Sequence, residues 1–304
     1  MTTPAGADDV HELLLAHADR ATTGPLDDPA VVAAVVGVER LVVATGSTDT
    51  RVLRDALEGR PVAGIDARQA AHVVELVEEA HTHVAAGLIR RDAGQPVDAG
   101  VVNPSSGGYE ITTDADLLRA AVRAAQGSIN AMPYYGARYG ARGSRFATTD
   151  SAWLISLAGL GEDRAVGQVE WLSRVLAARG MPSWLLEVHL DALVAEVRSV
   201  ADEAAVGSLP AAALALARAR RRHVGDDLMR SADEWADARA AELGQPLPVP
   251  RAGALMAAAV ADVRAGVTRD DSSLMDWLTD PERVPDAVAT ALREVRQRIL
   301  DHAL

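Results

Sequence analysis

DARQAAHVVELVEEAHTHVAAGLIR, residues 66–90, decides the fold class. Its apolar residues Val73, Val77, Ala80, Val84 and Leu88 recur every three or four positions, which is the period of one helix face and not the alternation of a strand. Asp66 is a capping residue at the start, and Arg90, Arg91 and Gly94 mark the end. The same grammar runs outward in both directions. Upstream, Asp27 and Asp28 precede Pro29 and the apolar run Val31 to Val43, which predicts a capped helix with proline in its first turn. Downstream, Thr113 and Asp114 open a helix that must stop near Pro133, and Thr148, Thr149 and Asp150 read as the start of the helix carrying Trp153. Further helices are predicted over Glu162 to Arg179, Ser183 to Ala205 and Pro210 to Leu243, with breaks at Gly180 and Pro182 and at Gly207 and Pro210. Gly244 to Pro250 holds three prolines and can only be an extended connector, after which two or three helices finish the chain. Strand-like alternation is confined to Gly108–Thr112. The expectation is an all-α, multi-helix bundle. The Pro-, Ser- and Gly-bearing loop Gln95 to Gly108 divides an N-terminal helical layer, residues 1–100, from a larger C-terminal helical domain, residues 109–304.

With 304 residues, 49% hydrophobic and 24% charged, the chain has ample core material. It contains no cysteine and no lysine, so all 30 side-chain cations are arginines. That composition excludes thiolate nucleophiles, disulfides, Cys-bound zinc or iron–sulfur clusters, covalent bilin attachment, lysine Schiff bases and the lysine of a phosphate-binding P-loop. A net charge of −13 repels polyanions, so no nucleic-acid partner is expected. The acidic stretch Met1 to Asp9 lacks the features of a secretory signal. The most apolar run, Ala30 to Ala44, is interrupted by Glu39 and Arg40, so a cytoplasmic protein without a membrane partner is expected.

Seven of the ten aromatic residues, Tyr134, Tyr135, Tyr139, Phe146, Trp153, Trp171 and Trp184, fall within about fifty positions. Tyr and Trp pair rigid apolar surface with a polar handle, so their concentration marks either the main core or a pocket or partner surface. Within this band the stretch Tyr134–Phe146 is rich in glycine and reads as a turn region. It carries Arg138, Arg142 and Arg145, whose spacing would put them on one face of a helical turn. Guanidiniums beside tyrosines suit a carboxylate or phosphate; the plainer reading pairs them with Asp150, Glu162 or Glu170.

The residues Arg138-Tyr-Gly-Ala-Arg-Gly143, Phe146, Asp150, Trp153-Leu154 and Val169–Gly180 give the stretch 135–193, a fifth of the chain, a resemblance to small bacterial globin-like helical proteins, including globins linked to bilin biosynthesis. The resemblance implies a three-on-three helical sandwich, a globin-like core in the C-terminal domain, and binding of haem or a non-covalent bilin whose propionates would meet the arginines. Where that family carries a histidine after the aromatic of its Asp–aromatic helix, this chain has Leu154. His189, at the edge of the stripe Leu186, Leu190, Leu193 and Val197, is then the candidate axial ligand, or a hydrogen-bonded flank of the core.

Glu78 and His81 form one Glu-x-x-His pair, but a carboxylate-bridged di-iron bundle needs two such pairs plus two further glutamates. The line His72, Glu75, Glu79 and His83 falls well away from the Val73/Val77/Val84 stripe and should face water. The arginine cluster Arg218 to Arg222 is expected to pair with Asp226 and Asp227. These features predict a non-catalytic sensory or regulatory protein holding a planar anionic ligand, with Tyr134, Tyr135, Tyr139, Trp153 and Trp171 for stacking, Arg138 and Arg142 for charge pairing, and His189 for ligation. The alternatives are an interaction scaffold or homodimer, and a metal-dependent helical-bundle enzyme.

Overall fold

The Asp28 carboxylate accepts a hydrogen bond from the Ala30 amide at 2.9 Å, and Pro29, which has no N–H to satisfy, starts helix α2 (Pro29–Thr45). Gly46 ends it in the left-handed region at φ 64°. Asp66 and Gln69 form a reciprocal capping box at the start of α4 (Ala67–Asp92), with bonds of 2.8 and 2.9 Å. The computed structural model describes residues 7–304, and these are helical almost throughout. The other helices are α1 (Ala7–His17), α3 (Thr50–Leu57), α5 (Ala99–Val102), α6 (Ala115–Ala131), α7 (Tyr134–Ser156), α8 (Glu162–Ala177), α9 (Ser183–Arg198), α10 (Glu203–Val206), α11 (Leu209–Arg221), α12 (Asp226–Leu243), α13 (Ala252–Arg264), α14 (Ser272–Leu278) and α15 (Asp286–His302). The fold is an all-α multi-helix bundle, and no strand occurs among the described residues.

Several local expectations are corrected. The glycine-rich segment 134–145 is helix, interrupted only at Gly140, whose φ of 54° and ψ of −149° leave the helical region. Thr148 and Thr149 lie inside α7 and bond back to the Ser144 and Phe146 carbonyls at 3.1 and 2.9 Å, so they do not open a new helix. The predicted helix 210–243 is two helices, separated at residues 222–225. Gly108–Thr112 is coil.

The helices divide into two units. The first comprises the residues up to 127 together with 141–158 and 195–206; the second comprises 128–140, 159–194 and 207–304. The loop at 95–108 lies within the first unit.

In the first unit α2 is apolar on nearly every side and is accordingly buried, with α1, α3, α4 and α5 packed on it. Its approach to α4 relies on missing side chains. A Cβ on Gly37 would lie 2.8 Å from that of Ala80, and one on Gly87 would lie 2.7 Å from the Ala30 Cα. In the second unit α13 is the central element: Ala252 to Asp262 are all buried, and α11, α12, α14 and α15 surround it while α8 packs on α11. Alanine and glycine make up most of α13, so its neighbours approach closely, and at Gly253 the backbone of α12 fills the place of a side chain.

Candidate functional site

In the second unit Tyr134 is completely buried. It meets Tyr139 edge-on at a centroid distance of 6.0 Å and Trp277 of α14 edge-on at 5.1 Å. Its hydroxyl donates to the Gly180 carbonyl and accepts from Arg138. Burial pushes the Tyr134 phenol far above its ordinary range. The Arg138 guanidinium lies against the rings of Tyr134, Tyr139 and Trp277, at 5.3 to 6.0 Å from their centroids, and donates to the Ser273 carbonyl and hydroxyl at 2.8 and 2.9 Å. Tyr139 donates to the Arg179 carbonyl at 2.9 Å. These groups interlock with one another, so the charge and donors of Arg138 are spent inside the protein. Tyr135 is half-buried against the same core, and the Trp171 ring is 52% exposed.

The other expected site residues have different surroundings. Because Gly140 breaks the helix between Arg138 and Arg142, helical spacing does not put the three arginines on one face. Arg142 and Arg145 belong to the first unit, where Arg142 lies over Phe146 at 5.7 Å and Arg145 approaches Glu79 at 3.7 Å. Trp153 is half-buried in that unit. His189 is buried in the second unit with Nδ1 2.8 Å from Ser128 Oγ, and burial lowers its pKa to about 4, which keeps the ring neutral. It is seated as a hydrogen-bonded flank of the core.

The line on α4 is half as expected. His72 and Glu75 are exposed, but Glu79 is turned toward Arg40, at 3.1 Å, and His83 is buried beside them. Burial, reinforced by Arg40, lowers the His83 pKa to about 4. His81 turns to His11 of α1, ring parallel to ring, with nitrogens 3.2 Å apart. Among the described residues no three His, Asp or Glu side chains converge as a metal site requires.

A cavity of about 300 Å³ opens elsewhere in the second unit, where α8, the start of α9, the end of α11 and the end of α13 meet. Arg174 of α8 and Arg222 and His223 after α11 line it, together with Ser183 and Asp262. Arg220 forms part of the wall. It is held bidentate by Glu187 at 2.9 Å for both bonds and by Asp226 at 2.7 Å, so its charge is answered within the protein. Among the described residues the side chains of Arg174 and Arg222 have no ion pair or hydrogen bond.

Asp262 is the sole charged residue within the apolar run Ala252–Val263 and is 3% exposed. Its carboxylate accepts the Ser183 amide at 2.7 Å and the Ser183 hydroxyl, and thereby caps α9 from another helix. Burial pushes its pKa up to about 6, against the opposing pull of the two Ser183 bonds. Native protein therefore binds a proton that the unfolded chain releases between pH 4 and 6. Stability falls as pH rises through that window, by up to about 3 kcal/mol at 1.36 kcal/mol per pKa unit. Asp262→Asn is expected to flatten this fall. Guanidinium melts at pH 4.5 and 7 should show the wild type losing more stability than the variant on the alkaline side, and parallel losses would refute the assignment.

No protein-family model, curated protein or solved structure matches the chain. The cavity residues share no local sequence pattern because they come from four separate helices. The lone Asp262 in an otherwise apolar helix was the one local signal.

Proposed function

We propose that the protein is a non-catalytic binding protein of regulatory type that holds a small anionic ligand in the cavity between α8, α9, α11 and α13. The observation that carries this reading is the pair Arg174 and Arg222. In a chain of net charge −13, these two guanidiniums, exposed at the mouth of a hollow that they line, have no ion-pair partner among the described residues. Forked donors facing a concave surface suit a carboxylate or phosphate. A volume near 300 Å³ is at the lower end for ligand sites and favours a compact acid. The tetrapyrrole version, with its globin-like sandwich over 135–193, would need Arg138 to leave Tyr134 and Ser273, so it is the weaker form of the proposal.

Thermal-shift and calorimetric titration with inorganic phosphate and with small mono- and dicarboxylates tests it. A ligand at a hundred times its Kd adds about 2.7 kcal/mol of stability. Arg174→Ala and Arg222→Ala should each weaken the best acid about tenfold or more, while haem and biliverdin leave no saturable spectrum. Absence of binding by every acid, or binding indifferent to both substitutions, would sink the reading.

A homodimer or partner-binding module is the second reading. It is favoured by the exposed ring of Trp171 and the exposed side chain of Leu214, carried on the mutually packed helices α8 and α11. Light scattering on ligand-free protein, with Trp171→Ala beside it, separates the two.

A further inference from the structure

Two kinds of unanswered charge line the same cavity. Arg174 and Arg222, both exposed, lack anionic partners among the described residues, and among the same residues the side chain of Asp262, 3% exposed, accepts only from Ser183, with no Arg or His in hydrogen-bond or ion-pair reach. The protein's other buried acids are treated differently. Glu39 is held by Arg20 and Arg123, and Glu187 by Arg220. An ionised carboxylate without a cation is costly to bury, and a hollow beside it is where a cation would be supplied from outside. Glu170 adds a second carboxylate to the lining, at its exposed side on α8. Each Asp262 oxygen accepts one bond from Ser183 and keeps a lone pair for a further donor.

We propose that the ligand is zwitterionic, a free α-amino acid or a similarly compact amine-bearing acid, whose ammonium group meets Asp262 and whose carboxylate meets Arg174 and Arg222. This rests on the binding role proposed above and specifies its ligand. The volume suits a molecule of that size. Ser183 positions the carboxylate of Asp262, because its amide and hydroxyl hold both oxygens at the start of α9. Arg220, locked by Glu187 and Asp226, supplies a rigid wall instead of a contact.

The test uses the full chain and the twenty common α-amino acids, each paired with the acid that lacks its amino group, followed by thermal shift and then calorimetry. At least one amino acid should bind at least tenfold more tightly than its deaminated partner. Asp262→Asn should erase that preference by weakening the amino acid at least tenfold relative to its deaminated partner. Arg174→Ala and Arg222→Ala should weaken both molecules of the pair. Deaminated acids that bind as well as their amino acids would overturn the zwitterion and leave the anion site standing. Failure of every acid, with or without an amine, would overturn both. Because Asp262→Asn weakens an N-terminal cap of α9, its circular dichroism and melting midpoint are compared first; if it fails to fold, wild-type titrations at pH 4.5 and 7 replace it, since protonating Asp262 should shrink the preference for the amino acid, and a preference equal at both values would overturn the proposal.

Discussion

Gly253→Val will unfold the second unit or cost it roughly 3 to 5 kcal/mol, well into the tail of single substitutions. Gly253 is the second residue of α13 and faces α12. A Cβ there would overlap the Ala232 carbonyl and lie 2.6 Å from the Asp233 nitrogen. The obstacle is backbone, which cannot rotate aside as a side chain can. The two helices would have to separate where Asp233 also caps α13, accepting the Ala254 amide at 2.6 Å. Separation therefore costs packing and that hydrogen bond together. Gly167→Ala in the same unit is the control. No atom lies within 4 Å of a Cβ placed there, and a helical glycine replaced by alanine gains about 0.5–1 kcal/mol. Trp171, Trp184, Trp235 and Trp277 all lie in the second unit, so denaturation followed by tryptophan fluorescence reports mainly on it. A Gly253→Val protein melting with the wild type would contradict the close approach of α12 and α13.

The contrast between Gly253 and Gly167 shows where sequence legibility ends. Local signals were readable because their partners are a few residues away: Asp28 with Ala30, Asp66 with Gln69, the stripe from Val73 to Leu88, the Gly180 and Pro182 break. The all-α class follows from those signals alone. Three glycines in the segment 134–145 suggested turns because each weakens a helix by about 1 kcal/mol. The burial of Tyr134 against Trp277, 143 positions along the chain, outweighs that local cost and keeps the segment helical. His83 illustrates the same limit. The periodicity of α4 put it with His72 in water, yet Arg40 and Glu79 hold it inside, and those neighbours are set by how α2 packs. For the site, the aromatic band located a rigid core, and the hollow lies among residues whose only shared property is where four helix ends meet.

Glu39→Ala will destabilise the first unit by about 3 kcal/mol or somewhat more, because it leaves two largely buried cations facing each other. Glu39 sits in the middle of the valine-rich α2 and its side chain is 1% exposed. Arg20 reaches one carboxylate oxygen at 2.6 Å and Arg123 the other at 3.1 Å, while Arg123 also donates to Glu196 at 2.7 Å. The Arg20 contact is close but not aligned as a hydrogen bond, so it compensates charge more than it satisfies geometry. Burial raises the Glu39 pKa even against both arginines, the sign that desolvation is the larger effect. An ion triad of this kind adds little net stability over an apolar replacement, but half of it is far worse than either. Arg20 has a left-handed backbone at φ 57°, and its carbonyl accepts Arg119 at 3.0 Å, which fixes the backbone from which its side chain extends toward Glu39. Arg20 and Arg123 retain partial exposure, which places the loss toward the lower end of the 3–5 kcal/mol that broken buried pairs cost. The decisive comparison is the triple variant Arg20→Met, Glu39→Met, Arg123→Met, which should recover most of what Glu39→Ala loses. Urea denaturation followed by circular dichroism, set beside the tryptophan fluorescence that reports mainly on the second unit, supplies both numbers. A Glu39→Ala midpoint within 1 kcal/mol of wild type, or a triple variant no better than the single, would mean that water already reaches the two guanidiniums and that the triad is a surface feature of α2.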